Sequence, residues 1–302
     1  MREAVMPSRE EAPALVPPRG GVTWRINGDS RLFAASGYAL LLQVAHPTVG
    51  AGVSEHSNFR EDPWGRLLRT LDYTTTMVYG GPDLAWEMGH SVREMHKRIK
   101  GTRPDGRAYH ALEPRAYAWV HATLAEAMVS GHRRFCSPQL SAIEIERFWA
   151  EWLRLGRLVG VREGDLPESW AGQCDYFERM VHEELEDTPA ARDVLEALAS
   201  PAAPPVPLLP KGIWRLARVP AARASAIATI GLMPAVLRQR LGLGWSRLQE
   251  GQLRALGAAS RTARPVMPPA LRSFGPSYLR WRGRSIGRGS DASGLAVSVS
   301  NR

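Results

Sequence analysis

Residues 141–159, SAIEIERFWAEWLRLGRLV, decide the fold class. Ser141 and Glu144 stand three apart, the spacing of a capping box. Hydroxyl and carboxylate there each take up an amide that the first helical turn leaves free. Behind the box, Ile145, Phe148, Trp149, Trp152, Gly156 and Val159 recur at three and four residues and mark one apolar helix face. A half-buried strand would instead alternate. Working outward, residues 29–45, DSRLFAASGYALLLQVA, read as a helix stopped by Pro47. Residues 49–60 read as a glycine-containing loop. Asp62 and Pro63 then supply an N-cap and a first-turn proline for a helix to Val78 that ends at Gly80-Gly81. Pro82 opens a further helix that Gly101 closes. Residues 102–113 read as a polar loop, and Glu113-Pro114 starts a helix through Val129. Helices are also predicted over 167–185, 190–199, 221–241 and 245–260. No alternating strand, Rossmann glycine pattern, P-loop or internal repeat stands out. The sequence predicts an all-α protein of about eight to ten helices.

At 302 residues the chain is long for a single domain, yet only residues 200–210, with five prolines, resemble a connector, and a rigid one. The expected organisation is a flexible N-terminal segment over 1–22, one multi-helix domain over 23–261, and a basic, disordered tail over 262–302, where periodicity gives way to Gly, Ser, Pro and Arg. Two cysteines, Cys136 and Cys174, rule out a disulfide framework and a four-thiolate metal site. The N-terminus lacks the apolar stretch of a signal peptide, and no window carries the roughly 20 apolar residues of a membrane span. A cytoplasmic location is therefore expected. The net charge of +9 is unevenly placed: residues 201–302 hold 16 Lys and Arg against only Glu250 and Asp291. That excess suits an anionic membrane or a nucleic acid, and equally a solvated arginine-rich surface.

Eight histidines are the main chemical resource, and none forms an HExxH pair. His96 is the most informative. Leu84, Met88, Val92, Met95 and Ile99 share one helix face, and His96 lies at its edge, four after Val92. A histidine so placed suits an axial haem ligand, and equally a hydrogen-bonded core residue. Arg66, Arg69 and Thr70 fall at i, i+3 and i+4 and share a face. Two guanidiniums and a hydroxyl there suit an anion such as a haem propionate, or a solvated helix surface. Glu87 and His90 make half of a di-iron motif whose second half is missing. His46, His56 and His121 read more simply as structural residues.

Four phrases shift this balance: GYALLLQVAHPTVGAGVSEHSNFREDPWGRLLRT (37–70), the turn at Tyr79-Gly80, HKRIKG (96–101) and YHALEPRAYAWVHATL (109–124). Together they resemble the MpaB-type and latex-clearing (rubber oxygenase) family over roughly residues 24–255. The resemblance implies a globin-like helical core around b-type haem, with dioxygen used to cleave carbon–carbon double bonds in a hydrophobic, isoprenoid-like substrate. It implies His96 as the proximal iron ligand, Arg66 as the arginine near the haem, and Thr70 as the threonine four after it. Two departures stand out. Rubber-cleaving members carry a lysine where this chain has Arg69, and an arginine stays protonated and does not readily ligate iron. They also carry a glutamate, the proposed base, at the offset of Gly50. Arg66, Arg69 and His56 are thus the candidate catalytic residues, and His96, Arg66 and Thr70 the candidate cofactor residues, with His96 on the metal.

The expected function is therefore a haem b-dependent oxygenase, an oxidoreductase taking dioxygen and a hydrophobic small molecule, with no specific nucleic-acid partner and with peripheral membrane contact left open. The alternatives are a haem-binding sensor or carrier without turnover, and a basic protein that binds an anionic membrane or nucleic acid through its C-terminal third.

Overall fold

The structure, a computed structural model, describes residues 5–58, 60–203 and 211–287. The chain opens with α1 (Ala12–Leu15), α2 (Val22–Asn27) and a 3-10 turn (Ser30–Ala35) that runs into α3 (Ser36–Val44). At His46-Pro47 it bends by 103° into α4 (Pro47–His56). An antiparallel pair follows, α5 (Pro63–Tyr79) and α6 (Gly81–Lys97), then a two-stranded hairpin of β1 (Lys100–Thr102) and β2 (Ala108–His110). Next come α7 (Pro114–Phe135), α8 (Ala142–Arg157), α9 (Trp170–Glu183) and α10 (Pro189–Ala199). The C-terminal third holds α11 (Lys211–Leu232), α12 (Ala235–Arg240), α13 (Arg247–Ala263), a 3-10 turn (Arg264–Val266), α14 (Pro269–Arg272) and α15 (Phe274–Gly287). The all-α reading holds, with more and shorter helices than periodicity alone suggests.

Helix α7 runs through the middle and packs against α3, α8 and α13. Its small residues let neighbours approach closely: a Cβ on Gly131 would meet Ala35 at 2.8 Å, and one on Gly156 of α8 would meet the His121 ring at 2.7 Å. Trp119, fully buried, donates its indole N–H to the Leu42 carbonyl of α3 at 3.0 Å. His121 and Trp152 exchange bonds. The imidazole Nε2 lies 2.8 Å from the Trp152 carbonyl oxygen, and the indole donates to the His121 carbonyl oxygen at 3.0 Å. Each buried ring thus meets its polar obligation without water. The α5–α6 turn needs Gly81, whose φ of 81° is left-handed.

The caps stand where sequence chemistry puts them. Asp62 accepts from the Gly65 amide, Glu113 from Arg115 and Ala116, and Ser141 with Glu144 forms the full box.

Several expectations are corrected. Residues 49–60 are not all loop: Pro47 opens α4 at the position where its missing amide costs nothing. The expected polar loop over 102–113, with the two residues before it, forms the β1–β2 hairpin, each strand three residues long and too short to show alternation. The predicted helix over 167–185 starts later, capped by Ser169. The predicted helix over 221–241 is two: α11 begins earlier and carries Pro220 inside, and Pro234 separates it from α12. Residues 5–22 are not a free lead-in. Ala12 and Leu15 are buried, Arg9 pairs with Asp83 and Glu87, and Trp86 donates to the Pro7 carbonyl. Prolines limit what this segment loses on docking. Nor is 262–287 a disordered tail: α15 packs on α5, and Asp72 there accepts from Tyr278 and Arg282. Residues 1–4, 59, 204–210 and 288–302 lie outside the described residues.

Candidate functional site

Helices α5, α6 and α7 bring Arg66, Tyr73, His96 and Tyr117 to one place. His96 sits in the last turn of α6. Its Nδ1 lies 2.7 Å from the Val92 carbonyl oxygen. A carbonyl only accepts, so Nδ1 carries the proton and Nε2 presents a bare lone pair. The ring meets Tyr117 edge-on, with centroids 5.6 Å apart and an interplanar angle of 85°. The Tyr117 hydroxyl donates to the Val159 carbonyl at 2.8 Å, which fixes that wall. Burial lowers the His96 pKa, the Val92 carbonyl opposes this, and the charges of Arg66 and Arg93 lower it further. His96 is therefore a neutral imidazole, the form that ligates iron.

Arg66 lies on α5 and donates to the Ser57 hydroxyl at 2.6 Å. Among the described residues no carboxylate lies within salt-bridge distance of it. Burial and the neighbouring Arg69 charge lower its pKa, so an anion placed beside it would be welcome. Arg69 is better served: it donates to the Asn58 side chain at 3.0 Å and lies 3.7 Å from Asp62. Thr70 is exposed, and its hydroxyl donates to the Arg66 carbonyl at 3.1 Å, so it braces the helix turn that carries Arg66. Tyr73 lies two turns beyond Arg66 on the same face. Arg66, Tyr73, His96 and Tyr117 all keep some accessible surface, although burial is the largest influence on the titration of each. All four are thus crowded by neighbours yet partly open to solvent, and together they form one candidate site.

His56 stands apart. Its ring is exposed, with Nε2 3.3 Å from the Lys100 carbonyl and Tyr109 edge-on at 6.4 Å. It adjoins this group only through its neighbour Ser57, which accepts from Arg66. Gly50 is closely confined: a Cβ there would meet the Val44 carbonyl oxygen at 2.5 Å and the Thr188 hydroxyl at 3.0 Å. A glutamate at this offset does not fit the present packing. Glu55 is held instead by the Tyr109 hydroxyl, at the hairpin. The Glu87–His90 pair joins no larger cluster: among the described residues no group of three or more His, Cys, Asp or Glu could hold a metal ion.

Sequence reasoning missed Ser57, Asn58, Tyr73 and Tyr117. The i+7 spacing from Arg66 could have found Tyr73. Tyr117 reaches the site only through the packing of α7.

A b-type haem asks for a neutral axial imidazole, cations for two propionates, and apolar or aromatic walls. The lone pair of His96, the acid-free guanidinium of Arg66, and Tyr73 with Tyr117 meet those needs, so the residues fit the group.

An all-helical fold with a neutral histidine close to an arginine that lacks an acid partner among the described residues defines a class of candidate cofactor-binding helical proteins. The chain belongs to the family described as ER-bound oxygenase mpaB/B'/Rubber oxygenase, catalytic domain, whose model matches residues 24–262. This is an oxygenase family, and an oxygenase-type oxidoreductase is the enzyme class it supports. Comparison with curated proteins and with solved structures returns no match.

Proposed function

We propose that the chain is a b-type haem-dependent oxygenase acting on a hydrophobic, unsaturated small molecule. The observation that carries this reading is the His96 imidazole, neutral and held with Nε2 unengaged, beside a guanidinium that lacks an acid partner. His96 would bind the iron, with the Val92 carbonyl fixing its tautomer and ring orientation. Arg66, held by Ser57 and braced by Thr70, would bind a propionate. Tyr73 and Tyr117 would line the apolar space and exclude water. Bound haem would supply dioxygen activation, and the protein would supply access and orientation.

Polyisoprene-type cleavage by the base of the rubber-cleaving members finds little support here, because Gly50 leaves no room for a carboxylate. Arg69 is bound to Asn58, and a guanidinium does not readily ligate iron, so it serves better as a charge beside the haem site. The test is a spectrum of protein expressed with haem supplied. A Soret band that survives gel filtration and shifts on reduction is expected, followed by oxygen consumption with an alkene. A colourless protein that takes up no added haem overturns the reading. Haem without oxygen consumption favours a carrier or sensor.

A hydrophobic substrate would be met at a membrane surface, and one element suits that surface. Ile213, Leu216 and Val219 recur every three residues at the start of α11 and are 54%, 82% and 66% exposed. Arg215, Arg218 and Arg223 are exposed among them, and no Asp or Glu occurs between residues 201 and 249. An acid-free apolar stripe flanked by arginines complements an anionic lipid surface in both polarity and charge. We infer that this half-helix rests on such a surface. Among the described residues no helix is long and apolar enough to cross a membrane.

A further inference from the structure

A recess lies at the opposite end of the α5–α6 pair from His96. Tyr79, at that end, donates to the Trp24 carbonyl at 2.7 Å, and Trp24 lines the recess. The 17 residues of α6 put its two ends about 25 Å apart. The recess has a volume of about 290 Å³. Its charged and polar walls include Arg25, Arg31, His132, Arg264, Arg272 and Ser273.

Cations outnumber anions there. Arg25 is paired with Glu144 at 2.6 Å, and Arg31 with Asp29 at 2.6 Å. Arg264 and Arg272 are exposed and have no carboxylate within salt-bridge distance among the described residues. The inner wall carries two polar groups left without partners. Arg31 and His132 are 8% and 9% exposed, and the Arg31 Nη1 and the His132 Nδ1 have no hydrogen-bond partner. Buried polar atoms in native proteins are nearly always satisfied, and two exceptions behind one recess make its inner wall polar and under-satisfied. Two unneutralised guanidiniums at its rim say what charge a ligand there bears.

The walls come from two parts of the chain. Arg25, Arg31 and His132 lie inside the span matched by the family, which ends at residue 262, whereas Arg264, Arg272 and Ser273 lie beyond it. The later segment is seated close by: the Phe274 amide donates to the Gly28 carbonyl at 2.7 Å, and Phe274 meets Phe33 edge-on at 4.7 Å.

We propose that this recess binds a compact multivalent anion of the phosphate or pyrophosphate class, and that the bound anion fastens the C-terminal segment to the family domain. The ligand takes charge-assisted hydrogen bonds from Arg264 and Arg272 at the rim, and the polar Arg31 and His132 side chains back it from within. The proposal is independent of haem.

The test uses the full chain with sodium pyrophosphate and inorganic phosphate as probes, read by calorimetry and thermal melting against sodium chloride at matched ionic strength. Pyrophosphate is expected to bind and to raise the melting temperature beyond the salt control. It should also slow tryptic cleavage within residues 264–287. The double variant R264A/R272A removes exposed, unpaired side chains, so its fold is retained, and it should weaken binding about tenfold or more. The Arg272→Lys variant should recover part of the loss. Competition by a short-chain phosphatidic acid assigns the site to a lipid phosphate, and lack of competition to a free polyanion. An equal shift from chloride, or unchanged binding by R264A/R272A, overturns the proposal.

Discussion

The Nδ1 atom of His96 lies 2.7 Å from the carbonyl oxygen of Val92, one turn earlier in α6. The bond sets the tautomer and leaves Nε2 without a hydrogen-bond partner among the described residues. His90 makes the same bond to Trp86 at 3.0 Å, but its ring lies tilted against that indole, with centroids 3.9 Å apart. The two histidines therefore make an internal control. His96→Ala should lose stoichiometric haem while keeping its helical circular dichroism, and His90→Ala should keep both. Haem retained with an unaltered spectrum in His96→Ala would remove His96 as the ligand.

Arg66 and Arg69 differ in company. Arg66 has one neutral partner, Ser57, whereas Arg69 has Asn58 and lies near Asp62. Arg66→Ala should speed haem loss to a scavenger protein by about tenfold to a hundredfold, the loss of one charge-assisted bond of roughly 1.5–3 kcal/mol. Arg66→Lys should lie between. Arg69→Ala should have the smaller effect, and the reverse order would place the propionate at Arg69.

Acid sensitivity follows from two buried histidines. Burial holds His46 and His121 down to about 4, against an ordinary value of 6.5. For His46 the Glu184 charge opposes the shift and Arg103 and Arg115 add to it. For His121 the Trp152 carbonyl opposes it. Between pH 6.5 and 4 the unfolded chain binds protons that the folded chain refuses, so stability falls as pH drops through that window. Each site accounts for a loss on the order of 3 kcal/mol once complete. Glu144, held at about 2 by Arg25 and Ser141, loses its contribution only as pH falls from 4.5 toward 2. Urea midpoints at pH 7 and 4.5 should therefore differ clearly, and His121→Asn should flatten the slope. An unchanged slope in that variant would assign the loss to other groups.

What the sequence discloses here is what short-range physics decides. The caps at Asp62, Glu113 and Ser141 act within four residues of themselves, so a linear reading finds them. Arg66 and Thr70 share a face for the same reason, and the HKRIKG phrase points to His96. Ser57 and Tyr117 become visible only after α5, α6 and α7 pack. Proline is ambiguous in sequence: Pro47 starts a helix after ending one, and Pro220 is tolerated within a long helix. The docking of α1 and α15 escapes a linear reading altogether, since Asp72 finds Tyr278 and Arg282 more than 200 residues away.

That last contact has its own consequence. The Asp72 side chain is 8% exposed and accepts from Tyr278 at 2.7 Å and from Arg282 at 2.9 and 2.7 Å. Removing one partner of a buried pair costs about 3–5 kcal/mol, unless the element detaches and water solvates the remainder. For a terminal helix detachment is the easier route. Arg282→Ala should therefore expose residues 264–287 to trypsin at a lower temperature than the main unfolding transition. Protection equal to that of the unaltered protein would mean that Phe274 and Tyr278 hold the helix by packing alone.

The exposed half of α11 gives a prediction that separates apolar from electrostatic contact. Leu216, 82% exposed, has most to gain from insertion into a lipid surface. Burial of a leucine side chain is worth about 2 kcal/mol, roughly thirtyfold in partitioning. Each arginine near an anionic surface adds about 1 kcal/mol and is screened by salt. Leu216→Ser should weaken sedimentation with phosphatidylserine vesicles at every salt concentration. R215A/R218A should weaken it at low salt and matter less at high salt. Both variants should leave neutral phosphatidylcholine vesicles poorly bound. Sedimentation that neither variant alters would place the lipid contact on another face, because this stripe and its arginines meet the surface together or not at all.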